Sequence, residues 1–202
     1  MKYTKLLGLL AVAAAALMAV VGTASATELT SPKGTKLGVG TVVKAENEGT
    51  IKLDGTVEIA CQRVTGSGSI TNAGGPSATV NGLPNLVEWT QCGSDTITVI
   101  SQGSGELHSL GGGEGTLTSS GAEITVVLHR TIFGFPVTTH CIYKTENTHV
   151  GRAKDSSVTG GAATVEIGTS PIPQVKTDAA CGENAQLTGN VVVTSPTTVY
   201  ID

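Results

Sequence analysis

Residues 115–144 read GTLTSSGAEITVVLHRTIFGFPVTTHCIYK, and this stretch decides the fold class of the chain. Apolar and polar residues alternate along three runs that are separated by turn-forming residues. A period of two is the pattern of a β-strand with one face buried. The stretch therefore predicts a β-meander of three antiparallel strands.

The first turn of the predicted meander lies at Ser120-Gly121. A two-residue turn there places Leu117 opposite Ile124, apolar against apolar. Ser-Gly is a weaker signal for such a turn than Asn-Gly, so this hairpin rests mainly on the alternation of its strands.

A loop over residues 132–135 forms the second turn and sets Cys141 against Val126 and Tyr143 against Ile124. A slip of one residue would turn one apolar face toward solvent, so the burial pattern fixes the register. The second hairpin therefore predicts that Cys141 points inward.

Residues 1–26 are predicted to be a secretory signal peptide. Lys2 and Lys5 supply the positive start, residues 6–21 form an uncharged apolar run, and Ala24-Ser25-Ala26 supplies a small-residue cleavage site. A membrane anchor is disfavoured because the run is shorter than the roughly 20 residues that a spanning helix needs. No basic flank follows it. We expect a secreted or extracytoplasmic protein with no stable membrane span after cleavage.

The composition of the remaining chain excludes nucleic-acid binding. Removing 26 of the 202 residues leaves 176, and with Lys2 and Lys5 gone the chain has 10 basic and 16 acidic residues, a formal charge of −6. Nucleic-acid binding needs a basic surface that neutralises phosphates, and single strands also need aromatic stacking platforms. The aromatic residues left are few: Trp89, Phe133, Phe135, Tyr143 and Tyr200.

All four cysteines lie after the predicted cleavage site, where an oxidising compartment favours disulfides. Four cysteines allow three connectivities. An internal echo supports nearest-neighbour pairing: Cys61 and Cys141 are each followed by Thr four residues later, and then by the similar segments GGPSATV and GGAATV. We expect the pairs Cys61 with Cys92 and Cys141 with Cys181, on two variations of one unit.

Residues 27–202 are predicted to form a single all-β domain. Short alternating runs recur with turn signals every eight to twelve residues, and no sustained 3.6-residue apolar period is present. Such a pattern fits a sandwich or a closed barrel. We expect a β-sandwich of mainly antiparallel short strands, stapled by the two disulfides. The Gly-Ser stretches at residues 66–69 and 103–105 are expected to be loops.

Five segments of the chain resemble a group of small secreted bacterial proteins with four cysteines and no assigned activity. The segments are VVVTSPTTVYID from Val191, GTLTSSGAEITVV from Gly115, CIY from Cys141, GGAATVEI from Gly160, and Cys181-Gly182. The resemblance implies a secreted all-β fold. Its motifs are strand ends, turns and bridge cysteines, so it implies no catalytic residues.

His129, His140, Cys141 and His149 are the one cluster that suggests a metal site. In the register above, His129 and His140 share the face opposite Cys141 and lie diagonally on neighbouring strands. A zinc site needs further ligands at a recognisable spacing, and Cys141 points away. Ordinary surface histidines are the preferred interpretation, and no metal or cofactor is predicted.

Catalytic patterns are equally weak. The Gly-Ser stretches lack the helix that positions an exposed nucleophile. Glu46 and Glu48 are flanked by turn residues and fit solvated positions, and the glycines of residues 111–115 lack the Lys and the helix of a phosphate loop. No catalytic residue is predicted.

The loop that carries Ile132, Phe133 and Phe135 places three large apolar side chains where loops usually carry polar ones. They either fold back to plug the open end of the domain or form an exposed contact patch for a partner, lipid or apolar ligand. We expect the plug.

The leading interpretation is a non-enzymatic interaction or structural module at the cell surface or in the medium, with an unidentified cell-envelope or protein partner. The alternatives are a binder of small apolar ligands or hydrophobic surfaces, and a hydrolase with a site assembled from distant loops. An outer-membrane pore fits less well, because bridging cysteines match poorly to regular membrane strands of about 10 residues.

Overall fold

The computed structural model describes residues 27–76, 78–175 and 180–202. The predicted signal peptide lies outside these residues. The described chain is nearly all β, and it contains no helix with the length and apolarity that a membrane crossing requires. Its elements are, in order, β1 (Thr27–Thr30), β2 (Val42–Asp54), β3 (Glu58–Cys61), β4 (Arg63–Gly75), β5 (Ala78–Thr90), β6 (Thr96–Gly111), β7 (Glu114–Ile132), β8 (Phe135–Lys144), β9 (Thr148–Lys154), α1 (Ser156–Thr159), β10 (Thr164–Gly168), β11 (Ile172–Pro173), β12 (Asn184–Ser195) and β13 (Tyr200–Ile201).

Eight antiparallel strands close into a barrel in the order β4-β5-β6-β7-β9-β10-β12-β2, and β2 returns to pair with β4. The expected sandwich is therefore wrong in architecture, although the all-β class is confirmed. The pairing that closes the ring joins residues 42–46 to residues 65–69. Alternation within a strand specifies its two faces, but it does not specify whether the outermost strands of a sheet meet each other.

Two apolar clusters fill the interior. One lies toward the end closed by β1 and β13 and includes Ile70, Val80 and Leu107. The larger one surrounds Ile51 and Val126 and includes all four cysteines. The predicted pairs are confirmed: Cys61 is bonded to Cys92, and Cys141 to Cys181. Two disulfides are consistent with an oxidising, extracytoplasmic environment.

The register of the second predicted hairpin is confirmed, with Val126 opposite Cys141 and Ile124 opposite Tyr143, but its turn is the two residues Phe133-Gly134 and not the predicted loop over residues 132–135. The first is wrong. The strand β7 runs unbroken through Gly121, and Leu117 pairs with Leu107 on one side and Gly151 on the other. Gly121 has φ +74°, which glycine adopts without strain, and the register continues across it from Ser120 opposite Ser104 to Ala122 opposite Gln102.

The Gly-Ser stretches predicted as loops are also strands, because they lie within β4 and β6. A Cβ atom on Gly103 would lie 2.2 Å from the Ala122 nitrogen and 2.4 Å from the Ser120 carbonyl oxygen. Glycine is needed here because two backbones approach closely, not because the chain turns.

The barrel consists of two halves with the same connectivity, as the sequence echo predicts. The long strands β2 and β7 each pair first with a barrel strand, β4 or β9, and then with a short strand outside the barrel, β3 or β8. Each outer strand carries the first cysteine of a pair, and the second cysteine follows β5 or β11. The hairpins β2-β3 and β7-β8 therefore occupy equivalent places.

Candidate functional site

The tip of the β7-β8 hairpin is the most exposed apolar feature of the described residues. Ile132 pairs with Phe135, and Phe133-Gly134 forms the two-residue turn between them. Phe133 is 97% exposed, Phe135 72% and Ile132 50%. The expected plug is therefore wrong. The hairpin carries these side chains past the end of the core, so they cannot fold back over it.

Exposure rises steadily along the side of the hairpin that faces the core. Alternate residues share this side, and along β7 they run from buried Leu128 through Arg130 to half-exposed Ile132. Beyond Leu128 no core residue covers this side of the hairpin, so Ile132 and the turn that follows it extend into solvent. We call Ile132, Phe133 and Phe135 the apolar tip.

The equivalent hairpin in the first half of the barrel is shorter. Leu53 pairs with Ile59 across five intervening residues, whereas Leu128 pairs with Thr139 across ten. The five additional residues lie within 129–138, the segment that carries the apolar tip. Because the first half closes its side of the barrel without them, the extension is not required for closure.

A bidentate ion pair fixes the base of the extension. Arg130 Nη1 donates to Asp95 Oδ1 at 2.7 Å and Nη2 donates to Oδ2 at 3.0 Å. The backbone N–H of His129 also donates to Asp95 Oδ1, at 3.0 Å. Burial alone would raise the pKa of Asp95, but the hydrogen bonds and the charge of Arg130 outweigh it and lower the pKa.

Asp95→Ala is expected to lower the free energy of unfolding by about 1–2 kcal/mol, because charge-assisted hydrogen bonds are lost from a pair whose guanidinium is partly exposed and screened. Urea denaturation measures the loss. Asp95→Asn, which keeps one acceptor oxygen, should lose less. Equal stability of Asp95→Ala and the unmodified protein would show that the pair does not anchor the hairpin.

Near the tip, none of the described residues pairs with the edge of β8 that faces away from β7, and proline interrupts this edge. The N–H of Val175 donates to the carbonyl of Ile142 at 2.8 Å on the edge away from β7. The backbone N–H and C=O groups of successive residues point to opposite edges of a strand. The backbone nitrogen of Pro136 therefore faces the same edge as the carbonyl of Ile142. Proline has no N–H to offer a new strand. A partner is therefore expected to contact side chains of the tip and not to extend the sheet.

The hairpin is nearly neutral in an acidic chain. Residues 129–144 contain Arg130 and Lys144 but no Asp or Glu, so they carry +2, and the rest of the chain of net charge −4 carries −6. Asp95 binds Arg130, and Glu123 pairs with Lys144 across the strands. The tip itself, residues 131–136, contains no charged side chain.

The histidines lie where the register predicts them. His129 and His140 are exposed on the outer face of the hairpin, opposite Thr138 and Val127. His129 Nδ1 lies 3.4 Å from the Thr138 hydroxyl. Within residues 27–76, 78–175 and 180–202, no group of three or more His, Cys, Asp or Glu is arranged to hold a metal ion.

A cleft of about 520 Å³ lies at the other end of β7, beside Asp155, Lys33 and the glycines 111–113. These glycines form the turn between β6 and β7. Both carboxylate oxygens of Asp155 accept hydrogen bonds from the protein itself, from Ser157 and Val158 at Oδ1 and from Ile201 at Oδ2. The Asp155 carboxylate therefore stabilises the fold through these hydrogen bonds.

Neither Asp95 nor Asp155 was predicted from the sequence. For Asp155 a signal was present, since Asp-Ser-Ser followed by Gly160-Gly161 is the pattern of a capped helical turn, and Asp155 caps α1. For Asp95 no local signal exists, because its partner Arg130 lies 35 residues away.

The sites predicted from the sequence therefore reduce to the two disulfides, which are formed, and the apolar tip, which is exposed. No family model, no curated protein and no solved structure matches this chain.

Proposed function

We propose that this protein is an extracytoplasmic, non-enzymatic interaction module that acts at the cell surface or in the medium and contacts its partner through the apolar tip. The exposure of Phe133 and Phe135 at the end of an anchored hairpin carries the proposal. Exposing large apolar side chains to water is unfavourable by roughly 25 cal/mol per Å², so a contiguous exposed group of them marks an interaction surface.

The tip is held in a defined position before any partner arrives. The Asp95 carboxylate fixes the base of the extension, and the bond between Cys141 and Cys181 ties β8 to the segment before β12. A preorganised contact element loses less conformational entropy on binding than a free loop does. Rigidity at the base therefore supports recognition at the tip.

The apolar tip also fits the alternative function of binding a hydrophobic surface. Binding of a small apolar ligand inside the barrel is less well supported, because the larger core cluster leaves little room for it. The cavity beside Leu53, Val126 and Tyr143 measures about 10 Å³. That is about the space of one water molecule. An eight-stranded barrel is just wide enough for side chains to fill its interior, which agrees with a filled core.

The double variant Phe133→Ser, Phe135→Ser tests the proposal with two measurements. Because both side chains are exposed, the free energy of unfolding should change by less than about 1 kcal/mol. The fraction of protein that sediments with bacterial cell envelopes should fall at least tenfold, because burial of a Phe side chain contributes about 1.5–3 kcal/mol.

Leu83→Ser, Leu86→Ser is the matched control. These residues are 48% and 50% exposed and lie on β5, so the control replaces two exposed apolar side chains outside the tip, although it removes less apolar area. It should sediment with envelopes as the unmodified protein does. Equal loss of binding in both variants, or no loss in either, would refute the tip as the contact element.

A further inference from the structure

We propose that the partner of the apolar tip is a lipid bilayer and that Ile132, Phe133 and Phe135 insert into its interfacial region. This inference rests on the proposed function, because it names the partner of the same contact element. It is carried by the shape and the reach of the hairpin and by the absence of charge at its tip.

The tip is convex and small. A buried aromatic side chain contributes roughly 150–250 Å², so the two Phe residues together bury less than the roughly 800 Å² per partner of a specific protein interface. A flat protein surface, including that of a second copy of this chain, would leave much of the tip exposed. A bilayer surrounds a convex insertion on all sides and needs no matching pocket.

The reach of the tip fits the depth of the lipid interface. A strand rises about 3.3 Å per residue, so Phe133 lies roughly 10 Å beyond Arg130 along the hairpin. Apolar groups of interfacial proteins enter about 5–10 Å, to the boundary between headgroups and acyl chains. With the tip at this depth, the Arg130 guanidinium lies at the level of the headgroups.

Hairpin geometry limits the number of backbone groups that would enter lipid without a partner. Residues 123–132 pair continuously with residues 135–144, so the groups outside this ladder are those of Phe133 and Gly134 and the outward-facing groups of the two strands, where Pro136 has no N–H. Unpaired backbone groups are costly in the hydrocarbon region, and a two-residue turn is the shortest connection between antiparallel strands.

The tip itself carries no charge. Residues 131–136 contain no charged side chain, so the tip enters the interfacial region without the cost of removing a charge from water.

The experiment measures co-sedimentation with vesicles of phosphatidylcholine and with vesicles of an equimolar mixture of phosphatidylcholine and phosphatidylglycerol. We expect the protein to bind both kinds of vesicle. Phe133→Ser, Phe135→Ser should lower the partition coefficient by about 100-fold, since each inserted Phe contributes roughly tenfold. Leu83→Ser, Leu86→Ser should bind as the unmodified protein does.

A fluorescence measurement reports insertion directly. Trp89 is the one tryptophan of the chain and packs against the larger core cluster, so acyl chains brominated next to the headgroup should leave the fluorescence of the unmodified protein unchanged. The added indole of Phe133→Trp should be quenched by the same vesicles. Absence of quenching in a vesicle-bound Phe133→Trp protein would overturn insertion.

The outcomes separate this inference from the proposed function. Tip-dependent binding to envelopes without binding to either vesicle would overturn the lipid assignment and leave the interaction module intact, with a protein or polysaccharide partner. Loss of tip dependence with both envelopes and vesicles would overturn both proposals. Equal vesicle binding by the two double variants would also overturn the lipid assignment.

Discussion

Replacing Cys141 and Cys181 together with alanine is expected to lower the free energy of unfolding by about 4 kcal/mol. The bond joins residues 40 positions apart, and a loop of that length restricts the unfolded chain by about this amount. A small domain has a net stability of about 5–15 kcal/mol, so the variant should unfold at much lower urea concentration.

The pair Cys61 and Cys92 provides the comparison for this result. It spans 31 positions, so its removal should cost only a few tenths of a kcal/mol less. Both variants are measured by urea denaturation without reductant. A loss below about 1 kcal/mol for either would contradict the entropic account of these bonds.

Asp155→Ala is expected to cost about 3 kcal/mol, the largest effect expected of a single substitution. Loss of the cap of α1 contributes about 1 kcal/mol. The buried N–H of Ile201, which donates to Asp155 Oδ2 at 3.1 Å, loses its acceptor at a further cost of about 1–3 kcal/mol. Urea denaturation at neutral pH measures the sum. A loss below 1 kcal/mol would show that water replaces the carboxylate.

The same carboxylate makes the stability depend on pH. Burial would raise the pKa of Asp155, but hydrogen bonds from Ser157, Ile201 and Val158 outweigh it and lower the pKa. The stabilisation is therefore present above the unfolded value of about 3.9 and is lost as pH falls through the lower folded pKa. Asp155→Asn should flatten this acidic limb, and an unchanged limb would contradict the assignment.

Local pattern was sufficient for the β7-β8 hairpin. Its register follows from alternation, since Val126 and Cys141 face inward only when they are paired. The two disulfides were predicted from the echo between the halves, and the first cysteine of each pair lies on an equivalent outer strand, β3 or β8.

The local pattern gave wrong predictions at glycines, because glycine occurs both in turns and where two strands approach each other closely. The glycines Gly103 and Gly121 indicate turns when considered alone, yet both lie within long strands, and the backbone of β7 passes too close to Gly103 for a side chain. The difference depends on a backbone from a distant part of the chain. The sandwich was wrong for the same kind of reason, because the pairing between β2 and β4 closes the ring.

The sequence by itself determined the all-β class, the inward face of the β7-β8 hairpin and the cysteine pairing. Alternation and the repeated unit are both visible in the order of the residues, without any knowledge of tertiary contacts. The tertiary structure alone decided that the strands form a closed barrel, that Asp95 anchors Arg130, and that the apolar tip is exposed. Each of these depends on contacts between residues that lie far apart in the chain, and no local sequence pattern specifies those contacts.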